Sequence, residues 1–159
     1  MTQGDVIASL QAAGLYHGAW TLDDMQYDPV SSSFINQAWM TWVASLPPEL
    51  KHYASINGTI SMFCPMWIAE VYDCDNIAID FAVYVDRCMA IDAVKNGKKR
   101  GNAAIGRFNF LLNCNKDTAH CRNWFIDHDG RAHVFDAGNC ALDTQTPEES
   151  ATCFCGESI

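Results

Sequence analysis

Apolar residues recur at helical spacing along the first half of the chain and switch to a strand-like period in the second. Residues 5–13 read as a short amphipathic helix ended by Gly14, and residues 15–22 as a strand or extended arm. Phe34, Ile35, Ala38, Trp39, Trp42, Val43 and Leu46 form one stripe, a core-facing helix over 34–46 that Pro47-Pro48 ends. The stretch from 53 to 72 is less regular: Ile60 to Trp67 can be extended, and Pro65 interrupts a helix. Ile77, Ala78, Phe81, Ala82, Val85, Cys88, Met89 and Ala93 then share one broad face, predicting a central helix over about 75–95. Asp73 is its N-cap candidate, and Asn96-Gly97 stops it.

Beyond it, residues 102–113 form a strand, and residues 119–127 and 131–136 a hairpin about His128-Asp129-Gly130. The tail from Asp143 is rich in Thr, Glu and Ser and predicts poor order. No repeat or linker divides the chain. The expected organisation is one domain: a helical part at 1–60, a core at 70–140 and a flexible tail at 143–159. The expected class is α+β, with the central helix packed on an antiparallel sheet.

With 159 residues, 49% of them hydrophobic and 18% charged, the chain can bury its own core. No apolar run approaches the roughly 20 residues of a membrane span. Met1-Thr2-Gln3-Gly4-Asp5 has no secretion-signal pattern, so a cytoplasmic protein with no membrane partner is expected, and Asn57-Gly58-Thr59 is not glycosylated there. A formal net charge of −9 disfavours general nucleic-acid binding. Lys95, Lys98, Lys99 and Arg100 are the local exception, read as a solvated helix end or as a docking spot for an anionic partner. The eight cysteines are expected to be reduced thiols, with Cys153-Phe154-Cys155 an exposed C-x-C.

Three residues carry the candidate chemistry. Cys74 sits at the head of the central helix, where unpaired N–H groups favour a thiolate. Its own N–H is a candidate oxyanion donor, with Trp67, Tyr72 or Asn57 as candidates for a second. The flanking Asp73 and Asp75 oppose the thiolate, which an adjacent imidazolium would have to offset. His120 opens an apolar strand and is the best base; Asp136 closes the next strand. A hairpin centred near 128–129 sets positions 120 and 136 roughly opposite each other, with Cβ atoms about 4.5–5.5 Å apart. The carboxylate then holds the imidazole tautomer.

Zinc is the competing chemistry, because His120, Cys121, His128, His133, Cys140, Cys153 and Cys155 all lie late in the chain. No C-x-x-C pair is present, and His120 and Cys121 on a strand face opposite sides. No metal and no cofactor are therefore expected.

The segments Asp73-Cys74-Asp75-Asn76, His120-Cys121-Arg122-Asn123-Trp124-Phe125 and Val134-Phe135-Asp136 together resemble the transglutaminase-like branch of the papain-like superfamily, including small phage-borne proteins. Asp136 is followed by Ala-Gly, where that family often has Pro, and residues 1–60 match no part of it. The resemblance implies a papain-like or transglutaminase-like core and a hydrolase or acyltransferase. Cys74 would attack an amide of a protein or peptide-like substrate, His120 would move the proton and Asp136 would orient it. The alternative is an inactive module on the same fold that binds a host protein.

Overall fold

A computed structural model of the chain describes all residues except 17, 18, 23, 57–59, 117, 140, 144–146, 154 and 159. In order, the elements are α1 (Gln3–Ala12), β1 (Ala19–Thr21), β2 (Tyr27–Asp28), α2 (Ser32–Ser45), β3 (Lys51–Ile56), β4 (Ile60–Pro65) and α3 (Cys74–Lys95). They continue as β5 (Asn102–Ala103), β6 (Ile105–Leu111), β7 (Ala119–Ile126), β8 (Ala132–Asp136), β9 (Ala141–Asp143), α4 (Pro147–Ser150) and β10 (Cys155–Ser158). Six strands form one sheet in the order β1-β10-β6-β7-β8-β9, and the pairs β2–β5 and β3–β4 stand apart from it.

Strand alternation divides the core between the two faces of the sheet. Ile105, Phe125 and Phe135 point to the face covered by α2 and α3, where they join Trp39, Trp42, Phe81 and Val85. Phe108, Phe110, Trp124, Ile126 and Val134 point to the other face and bury Val6 and Leu10 of α1. The stretch from Cys121 to Ile126 is therefore buried on both sides, the polar Arg122 and Asn123 included.

Within the six-stranded sheet the strands from β10 to β9 pair antiparallel, and the edge strand β1 joins β10 in parallel; β2 and β5 pair in parallel outside it. The tail, expected to be poorly ordered, holds α4 and β10 among its described residues. Its strand β10 inserts between β1 and β6, so the sheet extends well outside residues 70–140. The insertion is tight: a Cβ on Gly156 would meet the Trp20 ring at 2.6 Å, and one on Gly106 would meet the Glu157 carbonyl oxygen at 2.0 Å. Only glycine permits that approach. Residues 1–60 hold α1 and α2 as expected, and also β1, β2 and β3.

Candidate functional site

Cys74 is the first residue of α3, one position after the cap. The Asp73 N–H donates to Asn76 Oδ1 at 3.4 Å, which closes the first turn around the thiol. At N1, the Cys74 N–H has no acceptor within the helix. Asn123 fastens this end of α3 to the sheet, its Nδ2 donating to the Ala78 carbonyl at 2.8 Å and to the Gly106 carbonyl at 3.1 Å.

His120, near the start of β7, donates from Nε2 to Asp136 Oδ2 at 3.1 Å. It lines the same cavity as Cys74. The three predicted residues are thus brought together, although their register differs from the expected one. Asn123 pairs with Phe135, so Asp136 falls opposite Arg122 and reaches His120 on the diagonal.

Asp136 is 3% exposed, and four groups hold its carboxylate. Oδ2 accepts from His120, from Arg122 Nε at 3.4 Å and from Asn139 Nδ2 at 3.1 Å; Oδ1 accepts from the Gly138 N–H at 3.0 Å. Burial alone would raise its pKa, but the His120 hydrogen bond and charge, then Asn139 and Arg122, leave it below the ordinary carboxylate value. For His120, burial favours the neutral ring, but the Asp136 and Cys74 partners outweigh it and push its pKa up to about 9. At neutral pH the base is therefore an imidazolium facing the thiol.

These side chains line a cavity of about 210 Å³, closed by Pro65, Trp67, Ile77, Ala78, Cys121, Ala137, Gly138 and Asn139. Trp67 is 62% exposed at this site. Of the proposed second oxyanion donors, Trp67 alone is among the lining residues. Tyr72 is buried and gives its hydroxyl to Asp80 at 2.9 Å, and Asn57 lies outside the described residues. Cys121 alternates with His120 along β7, yet both line the cavity.

Among the described residues no group of three or more His, Cys, Asp or Glu side chains could hold a metal, and no disulfide is formed. Cys153 is buried rather than exposed. Cys140 and His17 lie outside the described residues.

Sequence reading missed Asn139, Gly138 and Arg107. The first two were legible only as the turn after Asp136. Arg107, on β6, ion-pairs Asp75 at 3.6 Å and Glu157 at 2.6 Å, partners its own neighbourhood does not reveal.

No family model matches the chain, and no curated protein matches it. Solved structures do. A complex of PSL1a with E64 superposes with a TM-score of 0.67 at 19% identity, over 99% of this chain and 50% of that one. Polyporus squamosus lectin, bound to the human-type influenza-binding epitope Neu5Aca2-6Galb1-4GlcNAc, gives 0.62 at 19% identity, over 99% and 49%. The chain spans about half the length of each and shares the fold of that half. These neighbours overturn the expected papain-like or transglutaminase-like assignment: the match over nearly the whole chain is to lectin structures. The hydrolase and cysteine-protease-like labels taken from that resemblance fall with it. No helix among the described residues is long and apolar enough to cross a membrane.

Proposed function

We propose that the cavity carries out cysteine-dependent acyl transfer on an amide. The observation that supports this is the set Cys74, His120 and Asp136 on one cavity, with the imidazole bonded to the carboxylate. The Cys74 thiolate attacks the amide carbonyl carbon and a C–S bond forms. The oxyanion is stabilised by the Cys74 N–H at the helix N-terminus. The His120 imidazolium gives its proton to the leaving nitrogen, the C–N bond breaks, and a thioester remains. Neutral His120 then takes a proton from the incoming water or amine, the C–S bond breaks, and the thiolate returns. Asp136 keeps the ring oriented throughout and stays ionised.

The test is site-resolved alkylation of the native protein at pH 6, for wild type and His120→Ala, read by peptide mass spectrometry. Preferential labelling of Cys74, lost in His120→Ala, is the expected result. Equal labelling of Cys74 and the other exposed thiols would end the proposal. E64, the compound in the PSL1a complex, is a second compound to offer to this chain, with modification of Cys74 as the readout.

A second reading is glycan recognition, favoured by the lectin neighbour and by exposed Trp67, whose ring could stack on a sugar. Titration with the trisaccharide bound to that lectin tests it. On this reading Cys74→Ala binds as well as wild type and Trp67→Ala does not.

A further inference from the structure

The thiol of Cys74 touches a carboxylate: Sγ donates weakly to Asp75 Oδ1 at 3.8 Å. Asp75 does not stand alone. Its Oδ2 lies 3.6 Å from Arg107 Nη1 across the gap between α3 and β6. Arg107 is partly buried, at 23% side-chain exposure, and cannot swing freely. Its Nε donates to Glu157 Oε1 at 2.6 Å, and the two residues are directly paired in the β6–β10 register. The last strand thus aims a cation at the carboxylate beside the candidate nucleophile.

We propose that Arg107 is a positioning residue for the Cys74 thiolate: held by Glu157, it offsets the charge of Asp75 and so lets the thiol ionise where the protein works. The proposal rests on the reading of Cys74 as the nucleophile. The groups around the thiol are Asp75 of α3, His120 and Cys121 of β7, Asp136 of β8 and Asn139 after it, with Asp73 the cap before α3 and Arg107 and Glu157 one contact further out. His120 supplies the positive partner. Arg107 removes an opposing charge that His120, already shared with Asp136, would otherwise have to overcome. At 3.6–3.8 Å such charges matter even with partial screening by solvent.

The experiment is the rate of Cys74 carboxamidomethylation by iodoacetamide across pH 5 to 10, in wild type, Arg107→Gln, Asp75→Asn and the double variant. Arg107→Gln should slow Cys74 about three- to tenfold at pH 6 while approaching the wild-type rate above pH 9. Adding Asp75→Asn should restore the rate at pH 6 to within about twofold of wild type. A purely structural role for Arg107 would not be rescued by removing a carboxylate.

Glu157→Gln, which weakens the tether and leaves the Asp75 pair, serves as the variant that separates strand docking from charge, and should fall between wild type and Arg107→Gln. If Arg107→Gln matches wild type at every pH, or Asp75→Asn fails to rescue it, the proposal is wrong. If wild-type Cys74 shows no preference over the other thiols, the fault lies with the nucleophile reading instead.

Discussion

The Asp136 carboxylate holds the His120 ring at 3.1 Å from a position two residues away from direct opposition on the neighbouring strand. This diagonal reach is possible because Asp136 is itself clamped by Arg122, Asn139 and the Gly138 N–H. Asp136→Asn keeps the shape and removes the charge. The His120 midpoint, read by NMR titration, should fall from about 9 toward its ordinary value of about 6.5. The fold should lose about 3 kcal/mol, because Arg122 is buried against the same carboxylate.

Stability should depend on pH through this pair. His120 is raised above its unfolded value, so its contribution is complete below about pH 6.5 and is lost as pH rises through about 9. Asp136 is lowered, so its contribution is present above about pH 4 and is lost as pH falls through its folded value. Both describe one interaction, which counts once. Urea midpoints should be highest between about pH 4 and 6.5 and decline toward pH 10, and Asp136→Asn should flatten that decline. A wild-type midpoint that rises from pH 7 to 10 would contradict the assignment.

Trp39 anchors the far wall of the site, its buried Nε1 donating to the Ala137 carbonyl at 2.7 Å. Trp39→Phe leaves that carbonyl without this donor and should cost about 1–3 kcal/mol in thermal or urea unfolding. The turn carrying Gly138 and Asn139 would loosen with it, so the Cys74 labelling preference should shrink severalfold.

Gly106→Ala should be among the most damaging small substitutions. The new methyl would lie 2.0 Å from the Glu157 carbonyl oxygen and 2.7 Å from the Trp124 ring. A backbone oxygen cannot rotate aside, so β10 must detach or shift. The expected loss is about 3 kcal/mol, with faster hydrogen exchange at the β10 amides than in wild type. Unchanged exchange there would show that the strand is not held through this contact.

The candidate site was legible where its signals are local. A cysteine after a capping aspartate, a histidine opening an apolar strand and an aspartate ending the next are all visible within a few residues. The register was not, because Asp127 Oδ1 accepts from the N–H groups of both Asp129 and Arg131 and shapes a five-residue turn. That turn moves the hairpin centre to residue 129, and with it the partner of Asp136.

Strand β10 was hidden for another reason: four residues carry no period, and its place depends on Gly156 fitting under Trp20 from the other end of the chain. Arg107 reads as an ordinary polar position in a strand until Glu157 and Asp75 are brought to it by the fold. Helix α3 was predicted nearly to its bounds, since a broad apolar face and a cap are sufficient evidence for a helix of that length.

The placement of β10 also sets an order of assembly. Strands β6 to β9 are consecutive hairpin neighbours and can pair as they are synthesised, but β1, although among the first elements made, has no seat in the sheet until residues 155–158 exist. Until then the outer side of β6 is an open ladder of N–H and C=O groups. A nascent or truncated chain ending before Cys155 presents that ladder to any other strand it meets, so loss of a few terminal residues endangers solubility before it endangers chemistry.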